Sequence, residues 1–178
     1  MAIIKKGNKL LREESKKVNL SDIKSAKIKA VIQRMKDELA QRQEGVAIAA
    51  PQIGINLRIF VLDKILTQPP YTQKRKEEGA PEEKEAKKEF FTFINPEIIK
   101  KSSKKIPLNE GCLSVPGVYE NIKRSEKITI EAYDENGGIF RQSASKILAQ
   151  AIQHEIDHLD GILFIDHVRD RKSKISVG

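Results

Sequence analysis

The segment His154-Glu155-Ile156-Asp157-His158 restricts the folds open to this chain more than any other stretch. Two histidines four residues apart project from one face of an α-helix, so both imidazoles reach one metal ion. Glu155, between them in sequence, can face a water on the same ion; this is the mechanical content of the two-histidine, one-glutamate helix motif. The chain has only three histidines in 178 residues, so the pairing is not a by-product of a histidine-rich composition. An open catalytic site takes three protein ligands and leaves a fourth position for water or substrate. The fold must therefore bring one more ligand against this helix.

Ligands downstream of the helix do not serve. Zinc proteases of the extended type take a third histidine six residues after the second, and here that position is Phe164. His167 lies three residues too far along and is expected to be a surface or supporting residue. Cys112 is the better candidate. It sits in Glu110-Gly111-Cys112-Leu113-Ser114-Val115-Pro116-Gly117, where glycines and a proline indicate a sharply shaped strand edge or loop. A thiolate with two imidazoles suits Zn²⁺ or Fe²⁺. The ordinary alternative for a lone cysteine is a buried small hydrophobe. These groups together describe a metal-dependent hydrolase with Cys112, His154 and His158 on the ion and Glu155 as acid and base.

The rest of the chain supplies an α+β frame. Residues 21–43 read as an amphipathic helix capped by Ser21 or Asp22, with Ile28, Val31, Ile32, Met35 and Leu39 on one face and Gly45 as its stop. The small apolar run Val46 to Gly54 lets another group approach the backbone closely. Leu57 to Asp63 reads as a buried strand, and Phe90 to Ile94 as another, closed by Asn95-Pro96. Residues 127–133 alternate with Ile128, Ile130 and Ala132 on one face, and a turn at Asp134 to Gly138 returns the chain as a hairpin. Ser143 or Ser145 then caps the histidine helix, whose apolar positions are Ile147, Leu148, Ala151, Ile152, Ile156 and Leu159. The expected architecture is a single domain over residues 1–178, with antiparallel strands packed around the helix that carries the metal-binding histidines. Residues 64–89 differ in kind: Lys74 to Glu89 holds six basic and six acidic residues. They are expected to be a charged insertion within the domain, as a mobile loop or a short surface helix.

Charge and composition narrow the setting. No apolar run approaches the roughly 20 residues of a membrane helix, the N-terminus lacks the apolar core of a signal peptide, and one cysteine forms no intrachain disulfide. The expected location is the cytoplasm. The net charge is +8, and residues 1–36 hold eleven Lys or Arg against three Asp or Glu. A basic surface of this kind either favours a polyanion such as RNA, with transient ribosome contact, or is simply a lysine-rich soluble face.

Three ordered segments now carry a family resemblance. Gly45-Val46-Ala47-Ile48-Ala49-Ala50-Pro51-Gln52, Glu110-Gly111-Cys112-Leu113-Ser114 and Gln153-His154-Glu155-Ile156-Asp157-His158-Leu159-Asp160-Gly161 resemble the glycine, cysteine and histidine motifs of the peptide deformylase family. Gly7-Asn8-Lys9-Leu10-Leu11-Arg12 is similar to its opening segment. The resemblance implies hydrolysis of the N-formyl group from the initiator methionine of nascent chains, releasing formate. It implies one divalent ion, Fe²⁺ in vivo with Zn²⁺, Ni²⁺ or Co²⁺ able to replace it, on Cys112, His154 and His158. It implies proton transfer by Glu155 and a formyl oxygen held by the Gln52 side chain and the Leu113 N–H.

Gly45, Val46, Ala47 and Gly111 are expected to contact the substrate. Ala47 stands where the family has a second glycine, and its methyl is expected to narrow the cleft. Ile147, Gln150 and Ala151 precede His154 by seven, four and three residues, so they share its helical face. They line a methionine slot or are ordinary core positions; Gln150 is the unexpected member.

The sequence is open to two other readings. One is a metallopeptidase, in which Cys112 has no role. The other is an inactive or metal-binding relative associated with the ribosome, for which only Ala47 and the charged insertion speak.

Overall fold

The chain alternates short connections with antiparallel strands, and the computed structural model describes residues 3–42, 45–67 and 88–168. Among these, the strands are β1 (Ala47–Ala49), β2 (Ile59–Asp63), β3 (Phe90–Lys101), β4 (Lys105–Cys112), β5 (Val115–Ser125), β6 (Lys127–Tyr133) and β7 (Ile139–Ser145); α1 (Ala26–Ala40) and α2 (Lys146–Leu159) are α-helices, and residues 164–168 are also helical. An antiparallel sheet runs in the order β1-β2-β3-β6-β7, and β4 and β5 form a separate two-stranded hairpin.

The sequence of β2, Ile59-Phe60-Val61-Leu62-Asp63, explains the layering. Every residue in it is buried, as in a strand covered on both faces. Ile59 and Val61 join Ile28, Ile32, Met35 and Leu39 of α1 in one core. Phe60 and Leu62 join Phe93, Ile128, Ile130, Ala132 and the α2 residues Ala149, Ile152, Ile156 and Leu159 in the other. The sheet is thus held between two helices, and α2 is fixed by its apolar stripe. The Phe60 and Phe93 rings stack at 4.4 Å across β2 and β3. The strand expected at 127–133 alternates as read, with Ile128, Ile130 and Ala132 buried, and the hairpin return extends to Ser145.

Three local expectations are corrected. The first helix starts at Ala26, because Ser25 Oγ accepts the Ile28 N–H at 3.3 Å. Ser21 and Asp22 instead lie in a 3₁₀ turn, Leu20–Asp22. The helix ends at Ala40 with Gln41 as its cap, so Gly45 is not its stop. Asn95-Pro96 does not close β3. The chain bulges there, with Asn95 at φ 50° and a register shift between Ile94 and Glu97, which accommodates the missing proline N–H. The Asn95 amide bonds both the N–H and the carbonyl of Val18 at 2.8 Å, taking the place of a strand partner. At the start of α2, Ser145 occupies the cap position without a side-chain capping bond. The expectation for the charged stretch 74–89 falls almost wholly outside the described residues.

Candidate metal centre

Two elements converge to make the site. α2 presents His154 and His158 from one face, their ring centroids 5.0 Å apart and nearly edge-on. The β4–β5 hairpin delivers Cys112. A register shift between Glu110 and Cys112 bulges Gly111 out of the ladder, and Cys112 then pairs with Val115 to close a tight turn. The ligand-capable atoms of Cys112, His154 and His158 all lie within 4.8 Å of one another. Cys112 Sγ is 3.1 Å from His158 Nε2.

The histidines are held differently. His154 Nδ1 is 3.0 Å from Glu110 Oε2. An ionised carboxylate only accepts, so Nδ1 carries the hydrogen and Nε2 is left for the cluster. Burial disfavours charge on His154, but its hydrogen bonds to Cys112 and Glu110 and the charges of Glu155 and Cys112 outweigh this and raise its pKa to about 10. Surroundings that favour a proton so strongly favour a divalent cation in its place. Burial and the neighbouring His154 push His158 well below the usual imidazole range. Its Nδ1 is buried without a partner among the described residues.

Glu155 is buried beside the pair, and its Oε2 has no hydrogen-bond partner among the described residues. Burial raises its pKa to about 7; His154 opposes the shift, and the charges of Glu110 and Asp157 add to it. A carboxyl poised near neutrality suits proton transfer in both directions.

Gln52 is set by the 3₁₀ turn Ala50–Ile53, which Pro51 helps to start. Its Oε1 accepts the Ala49 N–H at 2.8 Å. Its Nε2 is thereby turned toward Ser114 Oγ at 3.2 Å and Cys112 Sγ at 3.6 Å. The N-terminal segment straps the two loops together: Ile4 N–H donates to Gln52 O at 2.9 Å, Lys6 N–H to Ser114 O at 2.8 Å and Lys5 Nζ to Leu113 O at 2.9 Å. Gln52, Cys112, Leu113, His154, Glu155 and His158 are therefore gathered from three segments.

The remaining predicted residues divide. Gly45 lies where an added Cβ would meet Leu39 at 3.0 Å and Leu113 at 3.3 Å. Val46 precedes β1, which among the described residues pairs with β2 alone and so presents an open edge. Ala47 is only 9% exposed and belongs to the α2-side core. Its methyl packs among those core residues. At Gly111 a Cβ would strike the Tyr119 ring at 2.6 Å. Ile147 is exposed, Ala151 half-buried and Gln150 buried, with Gln150 Nε2 donating to Asn109 O at 2.9 Å.

Sequence reasoning missed Arg124. It is buried, makes two bonds to Glu110 at 2.7 and 2.9 Å, and reaches Asp157 Oδ2 at 2.6 Å. His167 Nε2 meets the same Asp157 oxygen at 2.7 Å, in keeping with a supporting place rather than a ligand's. The available signal was the β5 alternation, which puts Arg124 on the buried side with Ile122.

The family model described as polypeptide deformylase matches residues 1–174. The chain belongs to the polypeptide deformylase family. It is 39% identical over 162 residues to the peptide deformylase of Pseudothermotoga lettingae, covering 90% of this chain and 78% of that one. It is 41% identical over 152 residues to peptide deformylase 1 of Clostridium perfringens, covering 85% and 88%. Among solved structures, peptide deformylase 1B of Arabidopsis thaliana superposes with a TM-score of 0.75 at 32% identity, over 94% of this chain and 81% of that chain. The activity is that of a deformylase, a metal-dependent hydrolase that removes the N-formyl group from nascent polypeptides. The metallopeptidase and inactive-relative readings are not favoured. No helix among the described residues is long and apolar enough to cross a membrane.

Proposed function

We propose that this deformylase works with Cys112, His154 and His158 on one divalent ion, Fe²⁺ in the cell, and with Glu155 as its acid and base. The observation that carries the reading is the placement of three ligand atoms within 4.8 Å beside a buried Glu155 oxygen that has no partner among the described residues. One thiolate and two imidazoles form a donor set suited to Fe²⁺, Zn²⁺, Ni²⁺ or Co²⁺. An ion held there supplies Lewis acidity, polarising a carbonyl and acidifying water.

The chain's own groups do the rest. Glu155 Oε2 takes a proton from the attacking water and hands it to the departing amine nitrogen. As charge builds on the formyl oxygen, Gln52 Nε2–H and the Leu113 N–H stabilise it, each by about 3 kcal/mol. The substrate backbone lies along the open β1 edge at Gly45, Val46 and Ala47, with Gly111 contributing contact. Ile147, Gln150 and Ala151 form the methionine side-chain slot, with Ile147 at its solvent end. A peptide deformylase from Acinetobacter baumannii, similar to this chain with a TM-score of 0.78 at 28% identity, was solved with Met-Ala-Ser bound. That supports a methionine-first peptide here.

We further propose that residues 1–178 form one catalytic domain interrupted by the 64–89 insertion. The basic surface makes transient contact with the ribosome in the cytoplasm, where the substrate emerges.

The test is formate release from a formyl-methionyl peptide after anaerobic Fe²⁺ reconstitution, beside the Zn²⁺ form and an unformylated peptide. Fe²⁺ protein releases formate faster than Zn²⁺ protein and leaves the unformylated peptide intact. Release of amino acids without formate contradicts the reading.

A further inference from the structure

Behind His154, on the side away from Cys112, lies a group of charged side chains that the proposed chemistry does not use, with Arg124 and Glu110 buried and Asp157 and His167 half-buried. Arg124 is its centre, only 5% exposed. Its Nε and Nη2 grip the two Glu110 oxygens at 2.7 and 2.9 Å, and its Nη1 reaches Asp157 Oδ2 at 2.6 Å. His167 Nε2 meets that same oxygen at 2.7 Å and Arg124 Nη1 at 3.3 Å. Glu110 stands in β4 two residues before Cys112, and Asp157 stands in α2 between His154 and His158. One guanidinium is therefore bonded to the strand that supplies the thiol and to the helix that supplies both imidazoles.

The structure assigns Arg124 as a positioning residue for the metal centre: its planar fork fixes the spacing between the β4 and α2 ligands and holds Glu110 in the orientation that receives His154 Nδ1–H. Only a guanidinium does this. Two of its nitrogens satisfy Glu110 as a bidentate pair while a nitrogen on another edge serves Asp157. A lysine is a point charge that cannot hold both carboxylates in that geometry. Removing the centre would leave the buried Glu110 carboxylate without its cation, with the half-buried Asp157 unpaired from the same guanidinium, and His154 would lose the fixed acceptor that orients its ring. Partners of this kind behind a ligand histidine change metal affinity by about 10–100-fold when lost.

This inference rests on the reading of Cys112, His154 and His158 as the ligands, and the two are separable. Wild type, Arg124→Lys, Asp157→Asn, Arg58→Lys and Cys112→Ala proteins are loaded anaerobically with Co²⁺. The visible d–d spectrum is recorded, and Co²⁺ loss into excess chelator is timed, with thermal unfolding followed in parallel. Arg58 pairs with Asp160 at 2.7 Å at the end of α2 and touches no ligand or Glu110, so it reports loosening of the helix alone.

Arg124→Lys is expected to shift the d–d bands and release Co²⁺ at least about tenfold faster than wild type, while Arg58→Lys lowers the melting temperature and leaves the release rate unchanged. Asp157→Asn, which keeps the side-chain shape, is expected to speed release as well and decides the question if Arg124→Lys does not fold. Wild-type spectra and release rates in both Arg124→Lys and Asp157→Asn, or equal acceleration in Arg58→Lys, overturn the role of Arg124. Co²⁺ bound at full stoichiometry by Cys112→Ala instead overturns the ligand reading.

Discussion

Gln52 Nε2 lies 3.6 Å from Cys112 Sγ, and it points there because Gln52 Oε1 is occupied by the Ala49 N–H at 2.8 Å. The side-chain amide is thus oriented by its own 3₁₀ turn, with its donor toward Cys112 and Ser114, in keeping with the oxyanion role proposed for it. Gln52→Leu is expected to lower kcat by about 10²–10³-fold with a small change in KM, because the lost bond matters most in the transition state. Metal content by elemental analysis should stay at one ion per chain. An equal fall in metal content would assign Gln52 to metal retention instead.

Two carboxyls near the site give the metal-free protein opposite pH dependences. Burial works against ionisation of Glu110, but hydrogen bonds from Arg124 and His154 and their charges overcome it and lower its pKa from 4.5 to about 2. Its contribution to stability is present above 4.5 and is lost as pH falls through 2, on the order of 3 kcal/mol. Burial raises Glu155 from 4.5 to about 7. Its contribution is full below 4.5 and is lost as pH rises through 7, again on the order of 3 kcal/mol. Urea unfolding of metal-free protein from pH 3 to 9 should show Glu110→Gln flattening the acid limb. Glu155→Gln should be more stable than wild type above pH 7. No gain at high pH in Glu155→Gln would contradict the burial of an ionisable Glu155.

Gly161 ends α2 at φ 73°, and a Cβ there would meet the Arg12 backbone carbonyl carbon and oxygen at 2.8 Å. Both the backbone conformation and the space require glycine. Gly161→Ala is expected to cost about 2–4 kcal/mol, read as a lower urea midpoint. A shift of a few tenths would show that the N-terminal 3₁₀ turn, Lys9–Arg12, yields easily.

Local spacing made some elements readable from the sequence and left others hidden. The histidine helix, the alternating 127–133 strand and the cysteine turn were legible because each depends on local spacing. The continuation of β3 through Asn95-Pro96 was not. A proline normally ends a ladder, and the compensation comes from Val18, 77 residues away. The start of α1 at Ser25 rather than Ser21 turned on one capping bond among several eligible serines and aspartates. The packing of Ala47 in the α2-side core was not legible because composition alone does not say which side of β1 faces α2. The burial of Arg124 and Glu110 was illegible for a different reason: charged residues ordinarily lie in solvent, and these two are buried because each neutralises the other, with Asp157 half-buried beside them.

Glu155 is the residue on which the proposed chemistry most depends. The decisive measurement is formate release by Fe²⁺-loaded Glu155→Gln, made with metal content determined on the same sample. One ion per chain and a kcat lowered by about 10²–10⁴-fold are expected. Full metal content with wild-type kcat would contradict the proposed role of Glu155.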